Sequence, residues 1–226
     1  MEGASAPTTC YEKAKASVAK ATGNFVGVET IGAQDVLQLK REGKRVVLVD
    51  VRTEEEMKVS MLRGALTRQA ASEGIAIPTF ESSNLGEPAR TGRKFQESSS
   101  GGEQAWDVDV VVPYCTVGFR SGQYAKKLMG LGYPSVKNSE GVVLWTHEIG
   151  SGLVVPDAEN EASEAGHGPG DDADTDAGVE VKRVHVFGSP WDHASEEFET
   201  VKFTPKGWLG SSVISAFSKM FRKKKT

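Results

Sequence analysis

Residues 108–121 have the sequence VDVVVPYCTVGFRS, in which an apolar, β-branched run leads into a cysteine. The apolar half is too short for a membrane span and is typical of a buried strand in a parallel sheet. After it, the apolar side chains of residues 121–129 recur at helical spacing, and Gly132 is a natural end for that helix. We therefore predict that Cys115 leaves the carboxyl end of a strand, in a loop that leads to the N-terminus of a helix.

The loop of residues 115–121 carries groups that stabilise an anion. A helix N-terminus offers unpaired backbone N–H groups and the positive end of the helix dipole. Gly118 allows the positive φ that a tight turn needs, and Arg120 adds a positive charge. Because helix N-termini and neighbouring cations favour the thiolate, we predict that Cys115 is a reactive nucleophile at neutral pH. The alternative, a buried structural cysteine, needs neither the glycine nor the arginine.

The composition is that of a soluble globular protein of ordinary size. The 226 residues are enough for one α/β domain with extensions, and the net charge of −4 argues against a nucleic-acid-binding protein. The two cysteines, Cys10 and Cys115, lie in different contexts, so we expect a reducing compartment, the cytoplasm, with a plastid or mitochondrion left open. The four histidines are scattered, so we expect no metal and no cofactor. We also expect a monomer.

Strand and helix patterns alternate along the rest of the chain. Residues 46–51 form a second β-branched run, which ends in Asp50-Val51-Arg52. Thr53 and Glu56 then have the spacing of a capping box, which predicts a helix directly after this strand. Further helices are predicted over residues 31–43 and 142–149, and a short strand over 134–138. This alternation predicts an α/β fold in which helices cover both faces of a central, mostly parallel sheet.

Changes in composition divide the chain into five segments. We expect a loosely ordered leader (1–25) that includes a candidate short helix over 11–21, and a main domain (26–156) with a flexible insertion at about 69–104. An acidic linker (157–180), a short hairpin-like β appendage (181–205) and an amphipathic helix with a basic end (206–226) are expected to follow. The basic end suggests a weak contact of residues 208–225 with an anionic membrane surface or another protein. Packing of that helix on its own domain is the alternative.

Three motifs resemble, in their order, those of the rhodanese-like (sulfurtransferase) superfamily over residues 31–153. Asp50-Val51-Arg52 followed by Glu56 resembles the Asp-x-Arg element of that family. Residues 60–65 are similar to its Gly-His-Ile-Pro-Gly-Ala stretch, with departures at the first, second and fourth positions. The third motif consists of the loop 115–121, followed by Asn-Ser-Glu-Gly at 138–141 and by Trp145. The resemblance implies a three-layer α/β/α rhodanese-like fold plus a C-terminal extension.

The resemblance also implies a sulfurtransferase with Cys115 as its catalytic nucleophile. A thiosulfate or persulfide donor would transfer a sulfane sulfur to this cysteine, and a thiol or cyanide would remove it. The residues expected to bind the substrate are Thr116, Val117, Gly118, Phe119, Arg120 and Ser121. We expect Arg120 to favour an anionic donor and Ser121 to cap the following helix. Behind the loop, we expect Asp50 to brace it and Arg52 to pair with Glu56 or a neighbouring acid.

The length of the loop helps to separate reaction classes. Four residues lie between Cys115 and Arg120, whereas protein tyrosine phosphatases use Cys-x5-Arg. The shorter loop should enclose a smaller space, which suits a sulfur atom better than a four-oxygen anion, and no recognisable acid would protonate a leaving oxygen. Phosphatase or arsenate reductase activity is therefore less favoured. The main alternative is a non-catalytic or regulatory module that binds a partner protein, and retention of Cys115, Gly118 and Arg120 argues against it.

Overall fold

The computed structural model describes residues 9–23, 25–74, 108–133, 135–156 and 178–203. In chain order the elements are α1 (Cys10–Thr22), β1 (Thr30–Ile31), α2 (Ala33–Arg41), β2 (Val46–Asp50), α3 (Glu54–Met57), β3 (Met61–Leu62), β4 (Leu66–Thr67), α4 (Arg68–Gly74), β5 (Val110–Tyr114), α5 (Phe119–Gly130), β6 (Asn138–Ser139), α6 (Val142–Glu148), β7 (Leu153–Val155), β8 (Val179–Glu180), β9 (Arg183–Val186) and β10 (Glu199–Lys202). Helices and strands alternate through most of this order, as an α/β fold requires.

The centre of the fold is a parallel sheet built on strands β2 and β5. These strands pair in register from Val46 opposite Val110 to Asp50 opposite Tyr114, and β4 pairs in parallel with the other edge of β2. Both central strands are rich in β-branched residues, which pack well on a sheet that is buried on both faces. The two strands predicted from these runs are confirmed.

Alternate side chains of the two central strands are buried in two separate apolar cores. Leu48 and Val112 lie in one core, called the main core below, with side chains of α1, α2 and α6. Val47, Val49 and Val111 lie in the other core with side chains of α4 and α5. Because successive side chains of a strand point to opposite faces, helices cover both faces of the sheet. The expected three-layer α/β/α fold is confirmed.

Three small sheets lie beside this centre. β1 pairs in parallel with β6, the order β3–β7–β8 forms an antiparallel sheet, and β9 pairs in parallel with β10. A parallel bridge between Val111 and Val136 extends the edge of β5, near the strand predicted at 134–138. Helix α2 begins at Ala33 rather than at Ile31, because Ile31 belongs to β1.

The N-terminal segment contains the candidate helix of 11–21, but this helix is packed on the domain, so the prediction of a loosely ordered leader is wrong for residues 10–22. A capping box begins this helix. Ala14, Val18 and Ala21 recur at helical spacing and are almost fully buried. Their small side chains let α1 approach the domain closely, so a narrow apolar stripe is enough to hold it. Residues 1–8 of the predicted leader lie outside the described part of the chain.

The predicted β appendage at 181–205 packs on the domain, but its two strands pair in parallel, so the hairpin is wrong. Glu199, at the start of β10, lies opposite Arg183, at the start of β9. The connection from 187 to 198 is long enough for a parallel crossover, whereas a hairpin needs only a short turn. Val184 and Val186 are buried in the main core, so this segment is part of the domain.

Other predicted segments are described only in part. The insertion predicted at 69–104 begins inside helix α4, so its first residues are helical, and residues 75–107 lie outside the described residues. The acidic linker predicted at 157–180 ends in strand β8. Residues 157–177 and 204–226, the latter with the predicted amphipathic helix, also lie outside the described residues. No helix in the described part of the chain has the length and apolar character needed to cross a membrane.

Candidate active site

Cys115 directly follows the last residue of β5 and is 1% exposed. The carbonyl oxygens of Cys115 and Thr116 accept hydrogen bonds from the backbone N–H groups of Val142, at 2.9 Å, and Val143, at 3.1 Å. A Cβ on Gly141 would lie 2.6 Å from the Thr116 carbonyl oxygen, so a larger residue would push the two segments apart. The N-terminus of helix α6 therefore anchors the start of the loop 115–121.

Gly118 shapes the turn from the loop into helix α5. Its φ is +79°, the positive value that the sequence predicted, and it is the N-cap of the helix. A Cβ here would lie 2.5 Å from Thr22 Cγ2 and 2.9 Å from the Ser139 carbonyl oxygen. The Asn138 side chain donates a hydrogen bond of 3.0 Å to the Gly118 carbonyl oxygen. Backbone conformation and available space therefore both require glycine at this position.

Ser121 contacts the cysteine and does not cap the helix. Its hydroxyl group donates to Cys115 Sγ at 3.6 Å, and the residue is fully buried. Because α5 begins at Phe119 and Gly118 is its N-cap, the prediction that Ser121 caps the helix is wrong. A hydroxyl group that donates to sulfur favours the charged form of a thiol over the neutral form.

Arg120 is held by Glu56 at the side of the loop. Its Nη1 and Nη2 atoms each donate to one carboxylate oxygen of Glu56 at 2.7 Å, and Nη2 also donates to Thr116 Oγ1 at 3.3 Å. The Arg120 side chain is 14% exposed. Arg120 is thus not a free cation, and its attraction for an anionic donor is reduced by its carboxylate partner.

Glu56 has two functions in this region, of which the sequence predicted one. Its backbone N–H and carboxylate complete the predicted capping box with Thr53, at 3.4 and 3.0 Å. The same carboxylate binds Arg120, which the sequence did not predict. One signal could have indicated it: the capped helix begins at the carboxyl end of β2, at the same sheet edge from which Cys115 leaves.

Two further side chains at the site come from the C-terminal segment and were missed. His185, in β9, is fully buried, and its Nδ1 lies 3.1 Å from Glu56 Oε1. The Arg120 guanidinium carbon lies 5.4 Å from the centre of the Phe187 ring. No local motif marks these residues. They reach the site because β9 packs on the main core, which is a tertiary contact that periodicity does not reveal.

Charge interactions keep the Glu56–Arg120 pair ionised in spite of its burial. Burial favours the neutral carboxyl group of Glu56, but hydrogen bonds from Arg120, contact with His185 and the charge of Arg52 hold the Glu56 pKa well below its ordinary value. Burial likewise opposes the charged form of Arg120, whereas the Glu56 hydrogen bonds and a negative charge on Cys115 raise the Arg120 pKa. Arg120 therefore keeps its positive charge near Cys115, and the Glu56 carboxylate balances that charge.

Asp50 and Arg52 form a second buried pair behind the loop. Arg52 is 1% exposed, and its Nη2 lies 2.7 Å from Asp50 Oδ2 and 2.5 Å from the Ser60 carbonyl oxygen. The Tyr114 hydroxyl donates to the same Asp50 oxygen at 2.6 Å and accepts from the Leu62 N–H at 3.0 Å. Of the two acids considered for Arg52, the neighbouring Asp50 is its hydrogen-bonded partner rather than Glu56. Asp50 braces Tyr114, the residue before Cys115.

Burial and the Asp50 carboxylate together determine the ionisation of Arg52 and Tyr114. Burial opposes the charged form of Arg52, but the adjacent Asp50 carboxylate raises its pKa above the ordinary value. Burial and the charge of Asp50 together raise the pKa of Tyr114 well above its ordinary value. The tyrosine is therefore a neutral hydrogen-bond donor, and Asp50 lies between two donors that fix the end of β5.

The remaining loop residues, Val117 and Phe119, have side chains in the apolar core. The Phe119 ring packs on Phe25, with 5.6 Å between ring centres. Cys115 lies in the other core, so any contact of these two residues with an anion on its sulfur would come from their backbone N–H groups.

Comparison with known proteins supports a single family. The model of the Rhodanese-like domain family matches residues 33–148. No curated protein sequence matches the chain. Similar solved structures include the human single-domain sulfurtransferase TSTD1, with 25% identity, a TM-score of 0.37 and coverage of 54% of this chain and 98% of that chain.

Two bacterial structures are also similar. The polysulfide-sulfur transferase homodimer from Wolinella succinogenes has 21% identity, a TM-score of 0.34 and coverage of 59% of this chain and 82% of its own. The protein RPA3614 from Rhodopseudomonas palustris CGA009, described as of unknown function and a possible tyrosine phosphatase, has 18% identity, a TM-score of 0.35 and coverage of 62% and 90%. These TM-scores are too low to support an argument about function, so the assignment rests on the family model. Because that model spans just over half of the sequence and includes the whole loop 115–121, the chain belongs to the rhodanese-like domain family.

Proposed function

We propose that this protein is a sulfurtransferase that carries a sulfane sulfur as a persulfide on Cys115. The observation that supports this most is the environment of Cys115 Sγ. The Ser121 hydroxyl donates to it at 3.6 Å, and the loop leads through Gly118 into the N-terminus of α5. These groups favour negative charge on sulfur, both on the thiolate and on the persulfide.

The proposed reaction has two steps. In the first, the Cys115 thiolate attacks the outer sulfur of thiosulfate, a new S–S bond forms, and sulfite leaves with the electron pair of the broken S–S bond. In the second, a thiolate or cyanide attacks the outer sulfur of the persulfide, and the Cys115 thiolate leaves. The products are a persulfide or thiocyanate, and no net oxidation and no proton transfer are required. This is two-step covalent catalysis.

The pairing of Arg120 supports sulfur transfer over phosphoryl transfer. A phosphatase loop of this kind uses its arginine to hold two oxygens of a phosphoryl group. Here both terminal nitrogens of Arg120 already bind Glu56 at 2.7 Å. A persulfide places a single charged sulfur in the loop and does not need that bidentate contact.

The proposal is tested by turnover with thiosulfate and cyanide, with thiocyanate as the measured product. The parent protein and Cys10→Ser should form thiocyanate, whereas Cys115→Ser should not. Burial beside Glu196 raises the pKa of the Cys10 thiol, so this cysteine is a suitable control for unspecific thiol chemistry. Equal turnover by Cys115→Ser, or turnover of an aryl phosphate without thiocyanate formation, would contradict the proposal.

A further inference from the structure

We propose that His185, which lies outside the family-matched residues 33–148, is a positioning residue of the active site. It holds the Glu56 carboxylate in place, and through Glu56 it fixes Arg120 beside the Cys115 loop. The inference rests on the proposed sulfurtransferase function only for its effect on sulfur transfer. The C-terminal segment with β9 and β10 then contributes a residue to the active site.

The ring of His185 is held from two sides. Its Nε2 lies 3.0 Å from the Phe203 carbonyl oxygen, and because a carbonyl oxygen only accepts, Nε2 donates. Its Nδ1 lies 3.1 Å from Glu56 Oε1, a close contact that is not aligned as a hydrogen bond. The ring also packs on Phe187 and Phe203, with 4.9 and 4.2 Å between ring centres. These contacts restrict the ring, so it is able to restrict the carboxylate.

The two oxygens of Glu56 are shared among several partners. Oε2 accepts from Arg120 Nη1 and from the Thr53 N–H. Oε1 faces Arg120 Nη2, Thr116 Oγ1 and His185 Nδ1. Loss of His185 opens the β9 side of Oε1, and a buried carboxylate that loses one partner is expected to turn toward another or to take up water. Such a turn breaks the two hydrogen bonds that orient Arg120.

Strand β9 contacts both members of the Glu56–Arg120 pair. His185 lies within the strand and Phe187 follows its last residue, and side chains two residues apart project to the same side of an extended chain. The ring of Phe187 lies within cation–π distance of Arg120. The start of β9 is fixed independently, because Ser60 Oγ donates to the Arg183 carbonyl oxygen at 2.6 Å. Strand β9 is therefore held in place where it contacts the Glu56–Arg120 pair.

Two substitutions separate the functions of the two ring nitrogens. His185→Asn places its amide nitrogen near the position of Nδ1, so it keeps a polar group against Glu56 and loses the bond to Phe203. His185→Gln places its amide nitrogen near the position of Nε2, so it retains the bond to Phe203 and loses the contact with Glu56. Both are made in a Cys10→Ser background, in which Cys115 is the single cysteine.

Three quantities are compared: the unfolding temperature, the rate of Cys115 alkylation by iodoacetamide at neutral pH, and the rate of sulfur uptake from thiosulfate. A displaced Arg120 attracts the Cys115 thiolate less, so alkylation should slow. We expect His185→Gln to slow both rates about tenfold, the size of one lost contact with a charged group, and His185→Asn to slow them less than about threefold. His185→Asn should therefore be the more reactive variant, without being the more stable one, because only His185→Gln keeps the bond to Phe203.

Two results would overturn the inference. One is reactivity that follows stability, with His185→Gln more reactive than His185→Asn, as a purely structural histidine requires. The other is alkylation by both variants at the rate of the parent protein. Absence of sulfur uptake by the parent protein would contradict the proposed function, but the alkylation comparison would still decide about His185.

A milder variant covers the case in which both His185 variants unfold. Phe187→Leu keeps an apolar side chain and removes the ring face that lies over Arg120. Alkylation about threefold slower, the size of a cation–π contact, would support the inference. Unchanged alkylation would overturn it.

Discussion

The Glu56 carboxylate and the Arg120 guanidinium are joined by two hydrogen bonds of 2.7 Å, although 64 positions separate the two residues in the chain. Glu56 lies in the short helix after β2, and Arg120 lies in the first turn of the helix after β5. Because β2 and β5 are parallel neighbours, their carboxyl ends lie at one edge of the sheet. The Glu56–Arg120 pair therefore links the turn after β2 to the turn after β5, and these two turns form the site.

Replacement of Glu56 with glutamine should destabilise the protein more than loss of an exposed ion pair. Glutamine keeps an acceptor for the capping box but leaves Arg120 without its counter-charge, and breaking a buried pair costs about 3–5 kcal/mol. Asp109→Asn, which breaks the solvent-screened pair with Arg45, should cost much less, because water and salt weaken an ion pair at the surface. The free energies of unfolding in urea test this, and equal losses in the two variants would contradict it.

The pairing of Glu56 also predicts a loss of stability in acid. The pKa of this carboxyl group is lower in the folded protein than its ordinary value of 4.5. Its contribution to stability is therefore fully present above pH 4.5 and is lost as the pH falls below that value toward the folded pKa. Between about pH 5 and about pH 3, the free energy of unfolding should fall more steeply in the parent protein than in Glu56→Gln. If the free energy of unfolding falls equally with pH in the two proteins, Glu56 does not cause the loss of stability in acid.

Local patterns predicted the parts of this site that local chemistry determines. The strand before Cys115, the positive φ of Gly118 and the Thr53–Glu56 capping box each depend on a few adjacent residues, and the structure confirms all three. The alternation of strands and helices predicted a sheet covered on both faces, and the family resemblance implied the same three-layer arrangement.

The unpredicted parts depend on contacts between distant segments. Helix α1 has few large apolar side chains, and its burial depends on close approach through Ala14 and Ala21 rather than on a wide apolar face. His185 meets Glu56 only because β9 and β10 pair in parallel and pack on the main core. The local sequence of short strands does not determine how they pair. A hairpin was expected for 181–205 because two short strands that follow each other commonly pair in that way.

Substitution of Gly118 should show how closely the loop approaches its neighbours. Gly118→Ala meets both a positive φ and a Cβ position 2.5 Å from Thr22 Cγ2. Gly43→Ala is a matched control, because Gly43 has φ +74° but no atom within 4 Å of its Cβ position. We expect Gly118→Ala to cost about 1–3 kcal/mol more in the free energy of unfolding, since only this variant is overpacked. Equal costs would mean that backbone strain alone requires the glycine.

Removal of the Ser121 hydroxyl should reduce the reactivity of Cys115 with a small effect on stability. The lost hydrogen bond to sulfur should slow iodoacetamide alkylation at neutral pH by about tenfold, the value for one bond to a charged group. Ser72→Ala, on helix α4, removes an exposed hydroxyl that donates to the Gln69 carbonyl oxygen and should leave the rate unchanged. Alkylation of Ser121→Ala at the parent rate would show that the hydroxyl does not act on the sulfur.

The intact mass of the Cys10→Ser protein after incubation with thiosulfate tests the persulfide on Cys115 most directly. The proposed mechanism predicts a gain of one sulfur atom per chain, removal of that atom by cyanide with formation of thiocyanate, and no gain when Cys115 is also replaced by serine. An unchanged mass in the protein that retains Cys115, or the same gain in the protein that lacks it, would contradict the mechanism.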